Sequence, residues 1–345
     1  MKKTMFLLFF LLIAIAGYHF FVQKMDVGMR RLYYEKILKP RVKPAPVIRY
    51  HDKLTLGIYR PELPMNFAVF FMMQDSLRAR FNIISLYQSW GMGSDYDFNE
   101  EIMKEIARHG YTPMLTWEPW LSAFPEYKNQ LVYRSLRKIA DGDFDHYIIR
   151  YARSAVYFAH PMYLRFAHEM TNPWYGWAAK YNNKPKDYRD AWNHVVHIFR
   201  MEGAGNVAFV WTPYSVADTA FYPGDSSVDA IGIDVFNYGT SQPGGIWKDF
   251  YSVCKPMYDA YKKIHKPFIL AEVGTTTAGG SRKDWYKEMF HELAIGTFPN
   301  IASVVFFDNP SGRSPDGLYV DLRLSADSSV YAAIKDNVQL LVNTK

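Results

Sequence analysis

Five acidic residues close or follow apolar runs in this chain. They are Glu118 in TWEPW, Glu169 in RFAHEMTNPWYGW, Asp234 in DAIGIDVF, Glu272 in FILAEV, and Asp308 after IASVVFF. An ionisable group beside such a run is costly unless it has partners or a task. Glu169 and Glu272 stand apart, because little polarity precedes either one and aromatic loops lie beside each. Two carboxylates facing each other across a cleft are what cleavage of a glycosidic bond requires. One is protonated and delivers a proton to the leaving oxygen, and the other is an ionised nucleophile or base. Paired structural acids would give the same two letters, so the elements that carry them have to decide.

Around these acids the chain offers Trp117, Trp120, Trp174, Trp177 and Trp211. A flat ring either stacks on the apolar face of a sugar or fills a core. Trp117 and Trp174 are the stronger ligand candidates because they follow strand ends. Asp234 reads as a subsite contact or a loop brace, Arg165 as core scaffolding or a support for the carboxylates, and Glu118 as a further substrate contact or a structural acid. His194 and His197, beside Asp190, have a metal-like spacing on a helix, but a helix of this kind lies outside the cleft. His168-Glu169-Met170 is not a zinc motif, since Asn172 stands where H-E-x-x-H needs its second histidine. No nucleophile elbow, phosphate loop or dinucleotide fingerprint occurs at a strand-to-helix turn. The reading requires no cofactor and no metal.

The elements that must position these residues alternate along the chain. Apolar runs at 54–59, 83–87, 113–117, 162–168, 207–211, 229–236, 268–273 and 301–307 read as strands, with amphipathic segments between them. Residues 97–110 and 187–203 read as helices that stop at glycine. Ser281 and Asp284 resemble a capping box opening another helix, and Pro256 should kink the helix around 247–265. Eight strands alternating with helices predict an α/β fold, a closed (β/α)8 TIM barrel, in which functional groups gather at the C-terminal ends of the strands.

Four stretches carry a family likeness. RFAHEMTNPWYGW, WTPY, FYPGDSSVDAIGIDVFNYG and AEVG, in that order between about Leu54 and Phe307, resemble glycoside hydrolase family 26, in the large clan of retaining (β/α)8 glycosidases. The resemblance implies that Glu169 is the acid/base and Glu272 the nucleophile. It implies that His168 hydrogen-bonds the sugar near the nucleophile, that Trp174 lines the subsite at the point of cleavage, and that Tyr238 reaches the nucleophile. Members of that family include β-mannanases, mixed-linkage β-glucanases and β-1,3-xylanases. The chain departs from the mannanase pattern at Thr171-Asn172-Pro173, where Asn-Gly-x is usual. It also has Phe306 and Phe307 where a tryptophan often ends strand eight. With TWEPW, these departures lean towards glucan.

Charge divides the chain. Residues 1–50 hold ten Lys/Arg against two acids, a net of +8, which leaves 30 basic and 32 acidic residues, a net of −2, for the rest. The folding part has no basic excess for nucleic acid to recognise. The start, with two lysines, an apolar run from Met5 to about Val22 and Ala14-Ile15-Ala16, reads as a signal peptide or a membrane anchor. The expected division is 1–22 signal or anchor, 23–52 a basic Pro-containing linker, and 53–345 one catalytic barrel. A secreted, periplasmic or outward-facing membrane-anchored enzyme follows, with membrane attachment through the N-terminal segment as one form of it. Cys254 is the only cysteine, so packing and not an intrachain disulfide must hold the fold. The expected activity is retaining, endo-acting hydrolysis of a β-linked polysaccharide, with β-1,3-1,4-glucan or a related β-glucan ahead of β-mannan. The alternatives are an idle polysaccharide-binding barrel serving exopolysaccharide assembly or export, and a transglycosylase using the same site.

Overall fold

In the computed structural model, which describes residues 43–46, 53–128 and 130–343, all eight apolar runs form parallel strands. These are β1 (Thr55–Tyr59), β2 (Ile83–Ser89), β3 (Thr112–Glu118), β4 (Met162–Phe166), β5 (Val207–Trp211), β6 (Ala230–Asn237), β7 (Phe268–Thr275) and β8 (Ile301–Phe307). They pair in sequence order, and β8 returns to β1 to close the barrel, with Thr55 opposite Ser303 and Tyr59 opposite Phe307. The proposed signal or anchor at 1–22 and most of the linker at 23–52 lie outside the described residues. Among the described residues no helix is long and apolar enough to cross a membrane.

The connecting helices are α1 (Phe67–Leu77), α2 (Glu100–Arg108), α3 (Ser135–Ala140), α4 (Asp145–Phe158), α5 (Pro185–Met201), α6 (Phe250–Tyr261) and α7 (Arg282–Ala294), with α8 (Ser328–Asn343) closing the chain. Their ends have local causes. Asn99 accepts from the Ile102 N–H and Ser281 from the Asp284 N–H, each satisfying a donor of the first turn. α6 runs through Pro256 without being divided.

Strand alternation sorts two cores. Met114, Tyr163, Ala208, Val210, Ala230, Ile269, Ala271 and Val305 meet inside the barrel. Leu115, Leu164, Phe209, Ile231, Ile233 and Leu270 face outward into the helix layer. Gly57 is required at the β1–β2–β8 seam, where a Cβ would stand 2.8 Å from Ile83 Cβ and 2.9 Å from Val305 Cγ2. The regular alternation breaks where the acids sit. The β6–β7 register shifts between Ile233 and Asp234, and the β7–β8 register shifts between Leu270 and Val273. That bulge turns Glu272 inward beside Ala271, which plain alternation would not allow.

Candidate active site

Arg165 organises the floor of the barrel mouth. It follows Tyr163 by two residues on β4, so it points inward, and it has no solvent exposure. Its Nη1 donates to Glu272 Oε1 at 2.8 Å and to Thr116 Oγ1 at 3.2 Å. Its Nη2 donates to both oxygens of Asp234, at 3.1 and 2.9 Å, and its Nε to Thr212 Oγ1 at 3.2 Å. Burial works against the arginine's charge, and the carboxylates of Asp234 and Glu272 outweigh it. β3, β4, β5, β6 and β7 are thus tied at one point. Asp234 braces this network with a side chain 5% exposed, and it is not among the residues that line the cleft. Removing one partner from such a buried set costs about 3–5 kcal/mol, since the remaining charge is stranded.

Glu169 is positioned by backbone instead of by strand. β4 ends at Phe166, and Ala167 and Glu169 both take left-handed conformations, with φ of 44° and 50°. The bond from the Ala167 N–H to the Trp117 carbonyl (3.2 Å) and that from the Glu169 N–H to the Thr212 carbonyl (2.8 Å) hold this strained turn between β3 and β5. Asn172 Nδ2 donates to Glu169 Oε2 at 2.7 Å. Burial, with the nearby charge of Glu272 second, raises the Glu169 carboxyl to about 7, against the lowering effect of Asn172. Beyond the turn, Asp218 accepts from Thr171 Oγ1 at 2.9 Å and from the N–H groups of Tyr214 and Ser215 at 3.0 and 2.9 Å, joining the β4 and β5 loops.

Both carboxylates line one cleft of about 350 Å³. Trp174 and Tyr238, to which the family resemblance gives roles near the bond to be cut, also line it. Trp174 is 60% exposed, and the Tyr238 hydroxyl is pushed up by burial and then by the charges of Glu169 and Glu272. His168 is buried behind Tyr175, with its Nε2 2.8 Å from that hydroxyl. Burial, then Arg165, lowers its pKa well below the usual histidine range, which favours the neutral ring. Tyr175, and not His168, forms the wall at that point.

Two stacking expectations are corrected. Trp117 and Trp211 have no exposure and do not line the cleft. Trp117 has the outward parity of Leu115 and packs among Tyr147 and Tyr151 of α4 and Phe199 of α5. Trp211 has the parity of Phe209 and packs against Tyr222 and Tyr261. Trp177 is likewise buried, stacked on Tyr175 with ring centroids 4.4 Å apart. Glu118 has inward parity, accepts from Trp120 Nε1 at 3.0 Å and Ser89 Oγ at 3.4 Å, and is raised by burial to about 7. His194 pairs with Asp145 at 2.5 Å, and His197 is exposed. Among the described residues, no group of three or more His, Cys, Asp or Glu is placed to hold a metal ion.

Sequence reading missed Tyr59, Tyr87, Tyr175 and Tyr214, which line the cleft, and assigned no ligand role to Phe307, which lines it too. Tyr59 and Phe307 lie at strand ends and stack at 4.9 Å, so a search for aromatics at strand ends would have found them. It also missed the wall made by residues 309–315, for which no periodic signal exists.

The model of glycosyl hydrolase family 26 matches residues 118–298. Endoglucanase H of Acetivibrio thermocellus is 28% identical over 299 residues, covering 84% of this chain and 31% of that protein. A mannan endo-1,4-beta-mannosidase of Bacillus subtilis is 32% identical over 129 residues, 35% of this chain and 32% of that one. The chain therefore spans about a third of the length of these curated relatives. Among solved structures, a GH26 beta-mannanase from Bacteroides ovatus superposes with a TM-score of 0.57 at 18% identity, over 86% of this chain and 90% of that one, a likeness of fold. The family match reaches from the end of β3 through α7 and takes in the turn of Glu169 and the bulge of Glu272, so this chain belongs to glycosyl hydrolase family 26.

Proposed function

We propose that the protein is a retaining, endo-acting glycoside hydrolase of β-linked polysaccharides. The observation that carries this reading is that Glu169 and Glu272, from opposite walls of the barrel, line one cleft, the first raised to about 7 and the second ion-paired to Arg165. Glu272 attacks the anomeric carbon while protonated Glu169 gives its proton to the leaving oxygen. Glu169 then removes a proton from the water that releases the sugar from Glu272. Tyr238 and Trp174 hold the sugar at the cleavage point. Among substrates, β-1,3-1,4-glucan or a related β-glucan leads and β-mannan follows. The likeness to an endoglucanase over most of the chain supports that order.

Two experiments test this. Glucomannan, galactomannan, barley β-glucan, laminarin and carboxymethylcellulose are assayed for new reducing ends, and the anomer first released is read by NMR. Release of the inverted anomer, or no cleavage of any polymer, overturns the proposal. Glu169→Ala should lose about 10²- to 10⁴-fold on substrates with poor leaving groups. Azide should restore turnover of an activated aryl glycoside, and failure to do so removes Glu169 from its role. We also propose that the domain works outside the cytoplasm, tethered or released according to whether residues 1–22 are kept. Mass spectrometry of the mature protein for residues 1–16 distinguishes the two forms.

A further inference from the structure

One wall of the cleft is an excursion between β8 and α8. It carries two short strands, β9 (Gly312–Arg313) and β10 (Tyr319–Val320), and places Asn309, Ser311, Arg313 and Pro315 in the lining. Strands of two residues do not hold a loop in place by themselves. The feet of the excursion are pinned from beneath. Asp308 Oδ1 accepts from the Leu324 N–H at 2.6 Å, and its Oδ2 lies 3.2 Å from Arg60 Nη1. Arg282, the first residue of α7, donates from Nη2 to the Arg323 carbonyl at 2.7 Å and to the Leu322 carbonyl at 3.4 Å. The feet are also joined to each other, from the Leu322 N–H to the Asn309 carbonyl at 2.9 Å.

Asp308 and Arg282 are 2% and 1% exposed, and neither lines the cleft. Arg282 Nε and Nη1 have no hydrogen-bond partner among the described residues. An apolar side chain would fill that space without the cost of burying a guanidinium. Beside the influence of its charge on Tyr286 and Asp308, what the arginine adds is its grip on two loop carbonyls. We propose that Arg282 and Asp308 are positioning residues, a latch that fixes the 309–323 excursion as cleft wall and thereby sets how tightly a polymer is held. Bond cleavage stays with Glu169 and Glu272, so the proposal rests on the glycosidase reading above.

The test compares wild type with Arg282→Met and Arg282→Lys on barley β-glucan, or galactomannan if that is the polymer cleaved, and on an activated aryl β-glycoside. For Arg282→Met, KM for the polymer should rise about tenfold, as expected for loss of binding made equally in ground and transition states. On the aryl glycoside kcat should stay within about twofold. Trypsin should cut after Arg313 faster, while far-ultraviolet circular dichroism is unchanged. Arg282→Lys, which keeps a donor for the carbonyls, should recover most of both effects. Unchanged polymer KM and trypsin resistance in folded Arg282→Met overturns the latch, as does a kcat that falls equally on both substrates. If Arg282→Met does not fold, Asp308→Ala, which removes the acceptor for the Leu324 N–H, is read by the same measurements. If wild type cleaves neither substrate, the glycosidase reading fails, and the trypsin comparison alone judges the latch.

Discussion

Burial, then the charge of Glu272, raises the Glu169 carboxyl to about 7, and this sets the direction expected of the pH profile. The proposed first step needs the protonated form, so kcat/KM on a substrate with a poor leaving group should fall as pH rises through about 7. Asn172 stabilises the charged form, so Asn172→Ala should move that limb to higher pH. A limb that moves down instead would contradict the assignment. Stability follows the same sign. For Glu118 and Glu169 the folded-state values of about 7 exceed the ordinary 4.5, so their contribution is complete below about 4.5 and lost as pH climbs through about 7. Glu118→Gln should therefore raise Tm at pH 8 relative to wild type and leave it nearly unchanged at pH 4. At this scale the two acids were legible because charge stands out against apolar strands. Trp117 and Trp211 were misread because proximity to a strand end was weighed without the parity that turns them outward.

The elements were legible where their pattern was strong. All eight strands lie within a few residues of the apolar runs, and Ser281 caps its helix by accepting from the Asp284 N–H, without the reciprocal bond of a full capping box. α1, with FAVFFMMQDSL, is apolar on nearly every side, so it offers no helical period to read. The β7 bulge left no mark either, since FILAEV reads as uniform burial whether or not the register slips. Helix ends supply a prediction at this scale. α4 stops at Ala159, whose φ of 57° suits glycine better than alanine. Ala159→Gly should raise the unfolding free energy by about 1 kcal/mol, measured by urea titration, because a left-handed alanine costs about that much. A loss of stability would mean that the alanine methyl contributes packing that outweighs the backbone strain.

Across the whole molecule, the barrel separates two kinds of aromatic residue. Trp90, Trp117, Trp177, Trp192, Trp211 and Trp285 are enclosed in the helix layer or beneath the loops, while Trp174 stands 60% exposed at the cleft with the Arg313 guanidinium 5.7 Å from its ring centre. The composition announced an abundance of rings and not this partition, which depends on strand parity and on where the β4 turn leads. The partition gives the molecule an optical indicator of its own occupancy. Iodide in the solvent should quench emission mainly from Trp174, the most exposed indole, and less from the half-buried Trp120 and Trp247. In a Glu169→Gln protein, an oligosaccharide seated in the cleft should shield Trp174 and shift the spectrum to the blue, and Trp174→Phe should abolish the response. Binding thus becomes measurable by light alone, on unlabelled protein, before any bond has been broken.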